Sequence, residues 1–249
     1  MSQIAVITGA SSGIGQATAY KFASCGFDLL LIGRSSEKLK TTFNQCQTLN
    51  PKIKIQMLSL DFKKFDAATI TQALVNFKSE PTVLVNNAGM YSVNTFVNTS
   101  DWHEMFEVNL FSAVKITQTL WPIFEKNEKG SIINISSTLG LNPTSTTSSY
   151  SASKAAMINW TISLAQEGGA HNIRANCICP GIVDTPIHPF HTKPNEEKNK
   201  ITDNLAKLQL LKTIGEPNDI AESIYFLASD LSKWTTGATI NVDGGIHVK

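Results

Sequence analysis

The sequence predicts an α/β fold, with seven parallel strands in one doubly wound sheet and helices on both faces. Three observations predict it. Short apolar runs alternate with stretches of helical period in the order β-α-β-α-β-α-β, which calls for right-handed crossovers and a parallel sheet. The first run passes through a glycine-rich turn directly into a helix. Residues of the glycine turn, Arg34, Asp61 and Asn87 all fall at the carboxyl ends of strands, where open α/β sheets bind their ligands.

The bulk numbers agree. The 249 residues are 42% hydrophobic and 16% charged, an ordinary globular composition with a substantial core. Residues 1–249 are expected to form a single domain, since no linker or internal repeat interrupts them. A net charge of +1 without long runs of one sign argues against nucleic acid or an anionic membrane as the main partner. The start of the chain lacks a basic stretch followed by a long apolar one, and no run of about 18 apolar residues exists, so a cytoplasmic protein is expected. Cys25, Cys46, Cys177 and Cys179 match no zinc spacing and no disulfide framework. Cys177 and Cys179 alternate within an apolar run and read as packing residues on one face of a strand. The triplet Asn98-Thr99-Ser100 reads as incidental.

Residues 3–8 are β-branched and apolar, a buried strand. Thr8-Gly9-Ala10-Ser11-Ser12-Gly13-Ile14-Gly15 follows, and then Ile14, Ala17, Thr18 and Phe22 recur with helical period. Glycines there let a pyrophosphate approach amides at a helix N-terminus. Residues 28–33 are a second strand. Its tip reads Gly33-Arg34-Ser35, with no carboxylate to bind a ribose 2′-hydroxyl, whereas Arg34 can pair with a 2′-phosphate. NADP is therefore the expected cofactor. Residues 36–49 and 65–77 read as helices, and residues 52–60 as a third strand with Ile53, Ile55 and Met57 alternating and Asp61 at its end. A fourth strand, 82–86, runs into Asn86-Asn87-Ala88-Gly89.

Residues 101–125 read as one long helix carrying Asn109 among apolar neighbours, with Pro122 straining its last turn. A fifth strand, 131–137, ends in Ser136 and Ser137. A Ser/Thr-rich loop, 142–149, leads to a helix bearing Tyr150 and Lys154, four apart and hence on one face. An ammonium ~5 Å from a phenol, at an effective dielectric of ~20, favours the phenolate by roughly 3 kcal/mol. That corresponds to about 2.4 pKa units, so Lys154 is expected to lower the pKa of Tyr150 toward working range. Residues 174–179 form a sixth strand stopped by Pro180-Gly181, and residues 239–242 a seventh. Residues 186–213 read as an irregular loop followed by an amphipathic helix through Ile201, Leu205 and Leu208, the position of a substrate lid. His188 and His191 in it are expected to be exposed; no third ligand completes a metal site, and no metal is expected.

Taken together, Thr8-Gly9-x-x-x-Gly13-x-Gly15, Asn86-Asn87-Ala88-Gly89, Asn109, Ser137, Tyr150-x-x-x-Lys154 and Pro180-Gly181-x-x-x-Thr185 resemble, in order, the motifs of the short-chain dehydrogenase/reductase family. The resemblance runs from residue 3 to about 245. It implies a Rossmann fold and a reaction in which hydride passes between a nicotinamide and a carbonyl carbon. By that resemblance Tyr150 exchanges the proton, Lys154 lowers its pKa and holds the nicotinamide ribose, Ser137 holds the substrate oxygen, and Asn109 anchors a water relay to Lys154. The cofactor contacts it implies are Gly9, Ser11, Ser12, Gly13, Ile14, Gly15, Arg34, Asp61, Asn87, Ala88, Gly89, Tyr150, Lys154, Pro180, Gly181, Val183 and Thr185. Leu139, Leu141 and Tyr91 are expected to line the substrate pocket. A small carbonyl or alcohol is the expected substrate, with a homotetramer or dimer as the assembly. Two alternatives stand beside the ketoreductase reading. One is a 3-oxoacyl-acyl-carrier-protein reductase, disfavoured by the mixed charge of residues 125–129 and 166–171. The other is a non-catalytic NADP(H) sensor, disfavoured by the presence of Asn109, Ser137, Tyr150 and Lys154.

Overall fold

A computed structural model describes residues 3–77, 79–98 and 100–249. Met1, Ser2 and Thr99 therefore lie outside the described residues, and with them the expectations placed on the start of the chain and on the triplet Asn98-Thr99-Ser100. The strands are β1 (Ile4–Thr8), β2 (Asp28–Gly33), β3 (Ile55–Ser59), β4 (Pro81–Asn86), β5 (Gly130–Ile135), β6 (Ile173–Pro180) and β7 (Thr239–Val242). They form one sheet in the order β3-β2-β1-β4-β5-β6-β7, and every pairing is parallel. The helices are α1 (Gly13–Ser24), α2 (Ser36–Leu49), α3 (Ala68–Leu74), α4 (Trp102–Phe106), α5 (Ser112–Lys126), α6 (Ser148–Gly168), α7 (Asn195–Ala206) and α8 (Pro217–Ala228).

Strand alternation divides the interior into two cores. Ala5, Ile7, Leu29, Leu31, Val83 and Val85 face Phe22, Leu39 and Ile224, on α1, α2 and α8. Ile4, Val6, Leu30, Ile32 and Leu84 face Ile70, Leu120, Phe124 and Leu164, on α3, α5 and α6. The central strands bury both faces, which is why they read as unbroken apolar runs. The edge strand β3 is shorter than expected and Met57 is partly exposed, because one side of that strand has no neighbour.

One expectation needs correction, and one helix was missed. The helix through Asn109 is not continuous: α4 and α5 are joined by a π-turn, Glu107–Phe111, with Asn109 at its centre. Pro122 sits inside α5, which runs on to Lys126. Helix α8 was not anticipated, although Pro217 at its first turn and the spacing of Ile220, Ile224 and Leu227 are helix signals. Its start is a capping box between Glu216 and Asp219. Cys177 and Cys179 are buried side by side on β6, as their alternation predicts.

Candidate active site

The carboxyl ends of the strands open into a cleft of about 840 Å³. At its floor, the end of β1 is tied to the end of β4. The Thr8 hydroxyl donates to the Val85 carbonyl at 3.2 Å and accepts from the backbone N–H groups of Asn87 and Ala88, both at 2.9 Å. The Asn87 amide returns a bond to the Thr8 carbonyl at 3.0 Å. Gly9 and Gly13 turn the chain with φ of +66° and +55°, a region open to glycine. Gly15 is needed for a close approach instead: a Cβ there meets the Gly9 carbonyl oxygen at 2.4 Å. Helix α1 begins after Ser12 with no side-chain cap and no acidic residue in its first turn. Its leading amides are therefore available to an anion from the cleft, a fit to a diphosphate. At the tip of β2, Arg34 lines the cleft together with Ser35, Lys38 and Lys63. The two lysines were not among the expected contacts; the spacing of Lys38 from Arg34 was the available signal.

Across the cleft, α6 brings Tyr150 and Lys154 to the end of β5. Ser137 lies just past that strand, in a turn held to α6 by the bond from the Ser136 hydroxyl to the Lys154 carbonyl at 2.8 Å. Lys154 is 4% exposed, and its ammonium donates to the Ile135 carbonyl at 2.8 Å. Burial lowers its pKa to about 8. Burial also raises the pKa of Tyr150, to about 12, against the opposing effect of its hydrogen bond with Ser137. The expected lowering of the Tyr150 pKa by Lys154 is thus not seen. Desolvation penalises the phenolate more than its neighbours favour it, and the lysine points its charge at a main-chain carbonyl, 5.7 Å from the phenol ring centre.

The side chain of Asn109 is fully engaged. Its oxygen accepts from Met90 N–H at 2.7 Å, and its amide donates to the Met90 carbonyl at 3.1 Å and the Ser153 hydroxyl at 3.0 Å. That leaves only its main chain for any relay. Gly89 passes between Asn109 and Lys154, where a Cβ would lie 3.6 Å from the ammonium. Of the expected site residues, Asn109 and Gly15 stand behind the wall of the cleft; the others line it.

The lid is anchored at its base. Gly215 pairs with Ile182 and Asp184 through backbone bonds of 2.8 and 2.9 Å. Leu205 and Leu208 reach the cleft, as do Ile187, His188 and Phe190. Neither lid histidine is exposed. His188 stacks on Phe190, and His191 Nε2 lies 2.5 Å from Asp184 Oδ1, with Lys198 3.2 Å from the same oxygen. No group of three or more metal-ligating side chains occurs among the described residues. Leu139 and Tyr91 line the pocket as expected, whereas Leu141 turns to solvent.

The short chain dehydrogenase family matches residues 3–196. The chain is 34% identical over 248 residues to the 3-oxoacyl-acyl-carrier-protein reductase FabG of Thermotoga maritima, covering 99% of this chain and 98% of that one. Among solved structures, it is similar to L-sorbose reductase from Gluconobacter frateurii complexed with NADPH and L-sorbose, with a TM-score of 0.92, 27% identity and coverage of 100% and 97%. It is also similar to levodione reductase, with a TM-score of 0.92, 26% identity and coverage of 99% and 98%.

Proposed function

Since this chain belongs to the short-chain dehydrogenase/reductase family of oxidoreductases, acting on carbonyl and alcohol groups, we propose that it is an NADPH-dependent ketone reductase whose chemistry rests on Ser137, Tyr150 and Lys154. The observation that carries this reading is the meeting of those three side chains at a cleft whose far end holds Arg34, Lys38 and Lys63. The guanidinium and two ammonium groups suit the 2′-phosphate of NADP, and the NADPH in the sorbose reductase complex supports the same choice.

When bound, the nicotinamide supplies the hydride. Tyr150 gives its proton to the carbonyl oxygen as negative charge gathers there, and the Ser137 hydroxyl steadies that oxygen. The phenol, its pKa raised to about 12 by burial, is protonated at neutral pH and able to act as the donor. Buried Lys154, its ammonium turned to the Ile135 carbonyl, would hold the nicotinamide ribose, the role the family resemblance gives it. Levodione and L-sorbose reductases, the similar structures, act on ketones of small molecules, in keeping with a compact carbonyl substrate here.

The test is Tyr150→Phe. NADPH is expected to bind with unchanged affinity, while turnover of any accepted ketone falls by about 10²–10⁴. Near-normal turnover in that variant overturns the reading. A second reading, reduction of 3-oxoacyl groups on an acyl carrier protein, is favoured by the identity to FabG. Against it, Lys126 is already paired with Glu80 at 2.9 Å, and Glu125 and Glu128 balance the two lysines of residues 125–129. For the assembly, a homotetramer or dimer is supported by the exposed Phe96, Phe111, Leu231 and Trp234, the last 98% exposed. Four free thiols and the lack, among the described residues, of a helix long and apolar enough to cross a membrane support a cytoplasmic location.

A further inference from the structure

The substrate end of the cleft is mostly apolar, walled by Val93, Leu139, Ile187, Leu205, Leu208 and Ile246. The base of the lid carries one imidazole into it. His188 is held by its backbone N–H, which donates to the Thr185 carbonyl at 3.2 Å. Its ring lies nearly parallel to that of Phe190, with centres 5.0 Å apart and planes at 10°. It meets the ring of Tyr91 at 5.7 Å and 71°. Tyr91 in turn stands edge-on to Tyr150, at 4.9 Å and 85°. His188 is therefore one ring removed from the proton donor, and aromatic packing on two sides fixes its orientation.

Burial and the neighbouring His191 push the His188 pKa below 6.5, outweighing the Asp184 carboxylate and the Val183 carbonyl, which act the other way. The imidazole is neutral at pH 7. A neutral imidazole keeps one ring nitrogen as a donor and the other as an acceptor, and this ring lines the cleft.

We infer that His188 determines substrate specificity by accepting a hydrogen bond from a hydroxyl group of the substrate while Ser137 and Tyr150 hold the reacting carbonyl oxygen. The class of substrate it selects is a hydroxy ketone on a compact carbon skeleton, reduced to a diol. A plain ketone of the same size fills the space and leaves the acceptor unpaired, which is the stronger form of discrimination available to a small pocket. The inference rests on the ketone-reductase reading above.

The test uses matched pairs: 2-hydroxycyclohexanone against cyclohexanone, and 3-hydroxy-2-butanone against 2-butanone. Each is followed by NADPH oxidation and by titration calorimetry into the protein loaded with NADP⁺. The hydroxy ketone is expected to be preferred in kcat/KM by about tenfold or more. His188→Leu is expected to bring that ratio close to one, chiefly through KM of the hydroxy ketone, with NADPH affinity unchanged as the check on folding. His188→Gln keeps an acceptor and is expected to retain most of the preference. A parent ratio near one, or a ratio that survives in His188→Leu, overturns the inference and leaves the reductase reading standing. Absence of turnover and of binding for every ketone, with NADPH still bound, overturns the reductase reading and the inference with it.

Discussion

Lys154 keeps a titratable amine where water barely reaches. With its pKa lowered by burial to about 8, from 10.5 for a free lysine, it makes folding depend on pH in a particular way. Below about pH 8 both the folded and the unfolded chain carry the proton, and the burial penalty is fully felt. Between 8 and 10.5 the unfolded chain binds more protons than the folded one, so stability rises with pH. Tyr150, raised to about 12, works the other way above pH 10, where the folded chain keeps a proton that the unfolded chain loses. The buried thiols of Cys46 and Cys177, both raised by their surroundings, also lose stability above about pH 9, so the lysine is read from the difference between the parent and Lys154→Met rather than from the parent alone. Urea unfolding from pH 8 to 10 is expected to show the parent gaining on the order of 2 kcal/mol relative to Lys154→Met, which should be the more stable protein at pH 7. Identical pH profiles for the two proteins rule this account out. At the other end of the cleft, Arg34→Asp replaces a guanidinium at the β2 tip with a carboxylate that repels a 2′-phosphate and accepts from a ribose hydroxyl. The ratio of kcat/KM for NADPH over NADH is expected to fall by about 10² or more. Because Lys38 and Lys63 line the same space, Arg34→Ala should lose less than Arg34→Asp.

Two local segments do work that regular helices and strands cannot. The π-turn Glu107–Phe111 inserts one residue into what is otherwise a continuous helix, so the apolar stripes of α4 and α5 are out of phase and Asn109 turns inward. Its amide then bridges the loop at Met90 to α6 at Ser153, fixing the distance between the end of β4 and the helix that bears Tyr150. The glycine turn before α1 works by contact instead. A methyl group on Gly15 meets the Gly9 carbonyl at 2.4 Å and the Asn87 amide nitrogen at 2.5 Å, both parts of a rigid floor. Gly15→Ala is expected to displace the turn, weaken NADPH binding by about 10² or more, and destabilise the protein by about 1–3 kcal/mol. Fluorescence titration and thermal melting measure the two effects, and unaltered cofactor affinity is the outcome that contradicts the packing argument.

The molecule depends on one sheet serving two cores. Phe22 of α1 lies on one side and Phe124 of α5 on the other, both fully buried. Neither core closes without the strands they share, so residues 1–249 are expected to unfold as one unit. Phe22→Ala and Phe124→Ala should each cost about 3–5 kcal/mol, and each should shift the whole transition. A variant in which one half of the circular dichroism change separates from the other contradicts a single cooperative domain. The same arrangement places every carboxyl strand end on one edge, which is how segments as distant as Ser11, Asn87, Ser137 and Thr185 come to line one cleft.

The strands and their order of appearance were legible because the relevant signals are local. A buried strand is an uninterrupted apolar run, a βα phosphate turn needs glycines, and Tyr150 and Lys154 share a helix face by spacing alone. β2, α2 and β7 have the bounds the sequence suggests, and most of the expected site residues line the cleft. What stayed hidden depends on many distant neighbours at once. The rise of the Tyr150 pKa reverses the expectation from its pair with Lys154, because desolvation sums over everything that excludes water from the phenol. The inward turn of His188 depends on Phe190, Tyr91 and the anchored lid base, and the engagement of Asn109 on Met90 and Ser153. Periodicity and spacing along the chain carry the identity of the elements; burial and orientation arise only when segments far apart in sequence are packed together, and so only the folded structure settles them.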